Sequence, residues 1–459
     1  MMTDYSEKSF WLGNSGQYVE NPALAGDLKC DVAIVGGGFT GIATAYYLKK
    51  AQPSLKVAVL EGYVIGYGAS GRNAGFAMTT FGLMMSLTKM LFGPEKTRQS
   101  HRYMERAVDL VGELVEEHKL ECDYEKPGFL RIATTPAYVK RIKDEVELVK
   151  SLGLTGIDWI EADEVQKRVH SPFYMGAWWE PRCALVNPAK LAREMKRVAV
   201  QYGADVYERT PVMEIKRSPQ RFTIKTTGGT VSADKIVLAT NAYSLAIPEL
   251  KAMQQPVWTY IVLTEPLTQG QLADMGWEGR EGIEDYRNLV HYYRLTPDNR
   301  LLMGGRDIVV KYGSCMDYDM DPHIFAQLER DIVEFYPCLK DIKVTHRWGG
   351  PVSIPMDMVP ALGYLGDKRA VYSLGCMGHG VSLTHLNGQV MADLLLERKT
   401  EWTECFPVNR KVFKWPPEPI RFVGEMAILG YLHAEDAWLE RKGLGPAKDQ
   451  VSLGRIDRK

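Results

Sequence analysis

Residues 29–61 constrain this chain more than any other stretch. KCDVAIVGGG (29–38) is an apolar strand running into three glycines, GIATAYYLKKA (41–51) has helical spacing, and KVAVLE (56–61) is a second apolar strand. Short apolar strands of this kind, bounded by glycine and separated by a helix, read as a buried parallel βαβ unit.

Within it, Gly36, Gly38 and Gly41 have the spacing of a dinucleotide fingerprint. The first permits a tight turn, the second lets the backbone approach a pyrophosphate, and the third lets the helix pack against the strand. Phe39 and Thr40 then open the helix, whose free N–H groups and partial positive charge favour an anion. Glu61 ends the second strand where an acid would bind ribose hydroxyls.

The rest of the chain alternates. Helical spacing covers 94–118, 137–152 and 188–202, with a strand in GFLRIAT (128–134). RFTIKTTGGTVSA (221–233) reads as a hairpin turning at Gly228 and Gly229, followed by a buried strand in KIVLATNAY (235–243). PVWTYIVLTEPL (256–267) is a strand, and 290–307 a second hairpin turning at Pro297, Asp298 and Asn299. A helix over 322–336 leads to a strand in KVTHRWGG (343–350), and 371–397 reads as strand, glycine-rich turn and helix. The fold class this implies is α/β: a Rossmann-like nucleotide-binding domain built from discontinuous segments, with an inserted antiparallel-sheet (α+β) substrate domain.

Composition narrows the function. The 459 residues carry 56 Lys+Arg against 57 Asp+Glu, a net charge of −1, which gives no basic excess for a nucleic-acid partner. The seven cysteines are scattered without a C-x-x-C pair, arguing against a disulfide framework or a zinc site and for a reducing compartment. The opening MMTDYSEKSFWLGN lacks the apolar core of a secretory signal, and the longest apolar run, 32–48, is broken by glycines rather than long enough to span a membrane. A cytoplasmic location, with no metal, is expected.

Two further motifs bear on chemistry. Residues 66–75, GYGASGRNAG, are small residues where a simple nicotinamide-binding domain would continue into a helix. They are either a solvent loop or a backbone laid against a flat ring system. Residues 375–384, GCMGHGVSLT, lead into a helix. Its first N–H groups either face an electron-accepting ring, where they would stabilise negative charge, or are capped by Ser382 or Thr384.

Taken in this order, these motifs resemble the D-amino-acid oxidase superfamily of FAD enzymes. The segments GASGRNAG (68–75), Tyr292-x-Arg294 with LTPDNRLLMGG (295–305), GHGVSLTH (378–385) and WPPEPIR (415–421) are most similar to its γ-glutamylputrescine oxidoreductase branch. The resemblance spans about residues 29–425. It implies that Gly36, Gly38 and Gly41 bind the pyrophosphate and Glu61 the ribose of FAD. It implies that Ala69, Ser70, Arg72, Asn73, Ala74 and Gly75 run along the cofactor, and that Val212 meets adenine. Thr240 and Asn241 would return beneath it, and Gly378, His379, Gly380, Val381, Ser382, Leu383 and Thr384 would meet the flavin ring. The expected division is an FAD-binding domain at 29–80, 188–245 and 345–400, a substrate domain at 81–187 and 246–344, and an extension at 401–459.

The implied chemistry is removal of a hydride from the carbon beside an amine onto flavin N5, giving an imine that hydrolyses to a carbonyl. An apolar pocket favours the required neutral amine by lowering its pKa. Sarcosine oxidases in the superfamily attach flavin to a cysteine where this chain has WGGPVSIPMD (348–357), so non-covalent FAD is expected. They also carry a lysine near the segment that here reads PVWTY (256–260), so the electron acceptor is either oxygen or another molecule. His379, Arg294 and Tyr260 are the catalytic candidates, and Tyr292, Trp348, Met356 and Phe76 the substrate-binding ones. Arg294 either holds a carboxylate or makes a surface ion pair, His379 acts on substrate or orders backbone, and the aromatics form a cage or plain core. The competing functions are an NAD-linked dehydrogenase and a non-catalytic flavin-carrying subunit serving a partner; oligomeric state stays open.

Overall fold

The computed structural model describes residues 4–82 and 84–443. Two eight-stranded sheets organise the described residues. The first follows from the glycine-flanked apolar runs. Leu28–Val35 sits at its centre, parallel to Val57–Leu60 on one side and Thr230–Leu238 on the other. Asp205–Tyr207 and Asp367–Leu374 extend the parallel core. At the centre of the sheet, residues 32–35, Val57–Leu60 and 236–238 are buried and consist only of Val, Ile, Leu and Ala, as parallel strands covered on both faces require.

One feature differs from the sequence expectation. The second arm of the Gly228–Gly229 hairpin and the buried strand after it are a single strand, Thr230–Leu238. Its first half pairs antiparallel with Phe222–Thr226, its second half parallel with Asp367–Leu374.

The second sheet runs Val344–Ile354, Gln255–Pro266, Arg300–Gly305, His291–Leu295, Gly282–Asp285, Phe129–Ile132, Gly176–Glu180, Asp158–Glu161. All but one of its pairings are antiparallel. One face is apolar and covered by helix Pro322–Phe335, which buries Phe325, Leu328 and Ile332 against Tyr260, Val262 and Tyr293. The other face looks toward residues 72–76.

Packing divides the chain differently from the expected segments. Helix Pro94–His118, expected within 81–187, buries Tyr103, Met104, Ala107 and Val111 against Ile34, Ile42 and Leu386 of the first unit. Its amphipathic spacing announces a buried face but not the partner. Strand Val344–Ile354, expected with the nucleotide-binding unit, is an edge of the second sheet. The extension is docked rather than free: helix Ile420–Gly443 buries Leu439 beside Tyr138 and Val146, and Asp436 accepts from Tyr138 Oη and the Leu289 amide. Residues 444–459 lie outside the described residues.

Candidate active site

The glycine loop is shaped by collisions that any side chain would cause. Gly36 has φ +105°, and a Cβ there would lie 2.6 Å from the carbonyl oxygen of Ala239 on the neighbouring strand. A Cβ on Gly41 would strike the Gly36 carbonyl and approach the Ile34 side chain, so the helix can rest on the strand only at glycine. Glu61 reaches back into this turn, accepting from the amides of Gly37 at 2.7 Å and Tyr63 at 2.9 Å. Burial pushes its carboxyl up to about 7 against the pull of those amides.

Residues 66–75 form a 3₁₀ turn, Ala69–Gly71, set over the start of helix Phe39–Ala51. Ser70 Oγ accepts from the Phe39 amide at 3.0 Å. This segment is pinned from three directions. Trp11 Nε1 donates to Asn73 O at 2.9 Å and Ser9 Oγ to Gly71 O at 2.6 Å, from an N-terminal segment that sequence reasoning passed over. Trp348 Nε1 donates to Arg72 O at 2.8 Å from the second sheet. Arg72 itself is buried, its Nε donating to Tyr67 O at 2.9 Å, so it braces the loop from within.

These elements enclose a cleft of about 540 Å³. Of the expected cofactor residues, Gly36, Gly38, Phe39, Thr40, Glu61, Ala69, Ser70, Asn73, Val212, Thr240, Asn241, Gly378, Gly380 and Thr384 line it. Gly41, Arg72, Ala74, Gly75, His379, Val381, Ser382 and Leu383 are not among the residues that line it. Tyr243, Val352 and Cys376 also line it; each lies in a segment the sequence singled out, at 235–243, 348–357 and 375–384, but their residue types gave no reason to pick them from it.

At the far end of the cleft, helix Gly380–Leu395 begins without a side-chain cap. The expected caps are occupied elsewhere: Ser382 Oγ donates to Met78 O at 2.9 Å, and Thr384 Oγ1 donates to Gly380 O. The N–H groups of the first turn are therefore open to an anion or a polar ring edge. His379 precedes them, its Nδ1 buried without a hydrogen-bond partner among the described residues. Burial, with Arg131 nearby, pushes its imidazole down to about 3, so it is neutral at physiological pH.

The substrate candidates separate. Tyr292 and Phe76 meet edge to face, ring centroids 6.3 Å apart, on the sheet face toward the loop. Trp348 is on that face but serves the Arg72 carbonyl. Met356 is half exposed in the turn beyond strand Val344–Ile354. Tyr260 points the opposite way: it packs on Phe325 at 5.5 Å and donates to Tyr318 O at 2.9 Å. Strand alternation puts Tyr260 on the helix-covered face once Ile261 faces the loop. Arg294 is neither a carboxylate holder lining the cleft nor a surface ion pair. It is fully buried, with Nη1 donating to Val186 O at 2.8 Å and to the carbonyls of Ala74 and Gly75 at 3.4 Å.

A long cleft with a glycine turn and an acid at one end, and an uncapped helix start at the other, fits a dinucleotide carrying a ring system. The model for FAD dependent oxidoreductases (DAO) matches residues 31–394. The chain belongs to the FAD dependent oxidoreductase family, and its cofactor is FAD.

Within this family the chain is 30% identical to γ-glutamylputrescine oxidoreductase of Escherichia coli K12 over 396 residues, 86% of this chain and 90% of that protein. It is 28% identical to glycine oxidase of Bacillus licheniformis, covering 83% of this chain and 98% of that one. The fold is that of the crystal structure of glycine oxidase from Geobacillus kaustophilus, with TM-score 0.71 at 22% identity, covering 84% of this chain and all of the other. Family membership sets aside the NAD-linked alternative. No described helix is long and apolar enough to cross a membrane.

Proposed function

We propose that this flavoprotein oxidises the carbon beside the nitrogen of an amine or amino acid. The observation that carries the reading is the meeting of two surfaces. The uncapped start of helix Gly380–Leu395 closes the cofactor cleft, and Tyr292 and Phe76 stand on the sheet face turned toward its loop. The relatives named for γ-glutamylputrescine and glycine support an amine substrate.

FAD, when bound, supplies the two-electron acceptor at N5. The chain's own residues do the rest. Gly36, Gly38 and the start of helix Phe39–Ala51 would take the pyrophosphate, Glu61 the ribose, and the first turn of Gly380–Leu395 the polar edge of the flavin ring. His379, kept neutral by burial, adds no charge beside the reacting nitrogen. Aromatic surroundings disfavour an ammonium and so raise the fraction of reactive neutral amine. Two electrons and two protons leave R–CH₂–NH₂ to give the imine, and water converts that to carbonyl and ammonia. Oxygen or another acceptor would take up the electrons removed from the substrate. We read FAD as non-covalently held, because the stretch 348–357 has no cysteine.

The test is anaerobic mixing of the yellow protein with a panel of amines and amino acids. Bleaching by some member supports the reading, and a panel of amines that never reduces the flavin overturns it. Admitting air afterwards shows whether oxygen restores the colour. Acid precipitation that leaves the flavin in solution supports non-covalent attachment.

A further inference from the structure

Helix Ile420–Gly443 turns its polar side chains toward the protein and its apolar ones away from it. Asp436 accepts from Tyr138 Oη and from the Leu289 amide, both at 3.1 Å. Glu435 accepts from Arg141 Nη2 at 2.8 Å, and Glu440 lies 3.0 Å from Arg287 Nε. Arg421 and Glu425 are buried on the same side. The opposite face is apolar and open. Ile420, Val423, Ala427, Tyr431 and Ala434 succeed one another at steps of three or four residues, which sets them in one stripe, and all five are exposed. Ile420, Val423, Ile428 and Tyr431 each keep more than half of their surface in the open. A helix packed on a globular domain ordinarily has the reverse arrangement, apolar toward the core and charged toward water.

The segment before the helix extends this face. Arg410 Nη2 donates to Asp357 Oδ1 at 2.9 Å and Trp415 Nε1 to Ile354 O at 3.0 Å, and between these anchors Lys411, Phe413 and Lys414 stand exposed. Tyr312, also exposed, meets Phe422 edge to face at 5.7 Å. The charge here has one sign. Among the described residues from 410 to 441 no Asp or Glu is exposed, whereas Lys411, Lys414 and Arg441 are. An apolar stripe bordered by bases and tyrosine rings matches an anionic lipid surface: the apolar residues enter the headgroup boundary and the bases meet phosphates. It does not match a second copy of this chain. A two-fold axis would set the face against itself, and its bases would meet no exposed acid there.

We propose that helix Ile420–Gly443 and segment 411–414 dock this flavoprotein on an anionic lipid surface, with the helix in the plane of the interface and Ile420, Val423 and Tyr431 inserted. No described helix is long and apolar enough to cross a membrane, and the contact is peripheral. It is independent of which molecule the cleft oxidises.

The test is flotation of the full FAD-loaded chain with vesicles of equal parts phosphatidylglycerol and phosphatidylcholine, against vesicles of phosphatidylcholine alone. The natural protein is expected to partition onto the anionic vesicles about 10-fold more strongly, and to be released by salt. Val423→Asp places a charge where the stripe enters lipid and is expected to weaken partition about 100-fold. Lys411→Gln combined with Lys414→Gln is expected to remove the preference for anionic lipid. Val19→Asp alters an exposed apolar residue outside this face and should bind as the natural protein does. Flavin content and absorbance spectrum should be unchanged in every variant, since none of these residues lines the cofactor cleft. Absence of flotation, or equal flotation of the natural protein and Val423→Asp, overturns the proposal. Loss of binding in Val19→Asp also overturns it, because adsorption would then not belong to this face. A dimer that Val423→Asp breaks, with no flotation, replaces the lipid surface by a second copy. If Val423→Asp does not fold, the paired lysine variant and the two vesicle compositions decide the question.

Discussion

Trp348 Nε1 donates to the carbonyl oxygen of Arg72 at 2.8 Å, joining the edge of the second sheet to the loop that lines the cofactor cleft. Both side chains are buried, at 2% and 3% exposure, so the bond has no competing water. Trp348→Phe keeps an aromatic ring there and removes the donor. Leaving a buried carbonyl unpaired costs about 1–3 kcal/mol. The expected outcome is a lower unfolding midpoint in the apoprotein and weaker flavin retention, read by denaturant titration and by fluorescence of released FAD. Unchanged flavin affinity would show that the loop is held well enough by Trp11 and Ser9.

Arg294 separates a structural strut from a substrate anchor. Its guanidinium serves the carbonyls of Val186, Ala74 and Gly75, and burial lowers its pKa to about 10. Arg294→Met strands those carbonyls and is expected to destabilise the protein by about 2–4 kcal/mol. Substrate KM in the folded fraction should change by less than about tenfold. A large rise in KM with stability intact would return Arg294 to the role of carboxylate holder.

Gly38→Ala tests the phosphate end. An added Cβ would sit 2.9 Å from Ser70 Oγ, on the cleft side of the turn. The methyl both displaces the hydroxyl that accepts from Phe39 and bars close approach of a pyrophosphate. Flavin Kd is expected to rise by about 100-fold or more, equivalent to about 3 kcal/mol. A purified variant with full flavin content would be incompatible with this placement.

Acid sensitivity follows from three histidines held neutral, of which His101 and His385 are buried and His379 is partly exposed. Burial lowers His379 to about 3 and His385 and His101 to about 4. In the unfolded chain each takes a proton near pH 6.5, while in the fold each refuses it. The unfolded state therefore binds more protons below that pH, and stability falls as pH drops from about 6.5 toward 4. At pH 5 each site costs about 2 kcal/mol. His291, held by Asp285 and Asp331, has its pKa raised and contributes with the opposite sign. Replacing His101 or His385 with Gln should flatten the fall in unfolding free energy between pH 7 and pH 5; an unaltered slope argues that the site is already hydrated.

The FAD end of the site was legible because its constraints are local and steric. Gly36, Gly41 and Glu61 lie within one strand–helix–strand unit, where the close approaches at 36 and 41 leave no room for a Cβ and the Glu61 carboxylate accepts from the Gly37 amide. Helices such as Pro94–His118 and Pro188–Gln201 were legible from apolar spacing for the same reason. What spacing could not specify was the partner of each buried face. Pro94–His118 joined the core of the first unit, and strand Val344–Ile354 joined the second sheet, by contacts between residues far apart in sequence.

By itself, the sequence determined that the chain binds a dinucleotide through a βαβ unit and that glycine-rich turns follow at 66–75 and 375–380. The tertiary structure decided which side chains face the chemistry. Tyr260 and Ile261 are neighbours, yet pleating sends the tyrosine to helix Pro322–Phe335 and the isoleucine toward the loop. Arg131 and Glu284, more than a hundred residues apart, become a pair only through parallel register between Phe129–Ile132 and Gly282–Asp285. Register is a property of two strands together. It is set by the hydrophobic face each must bury, and no single stretch of chain contains it.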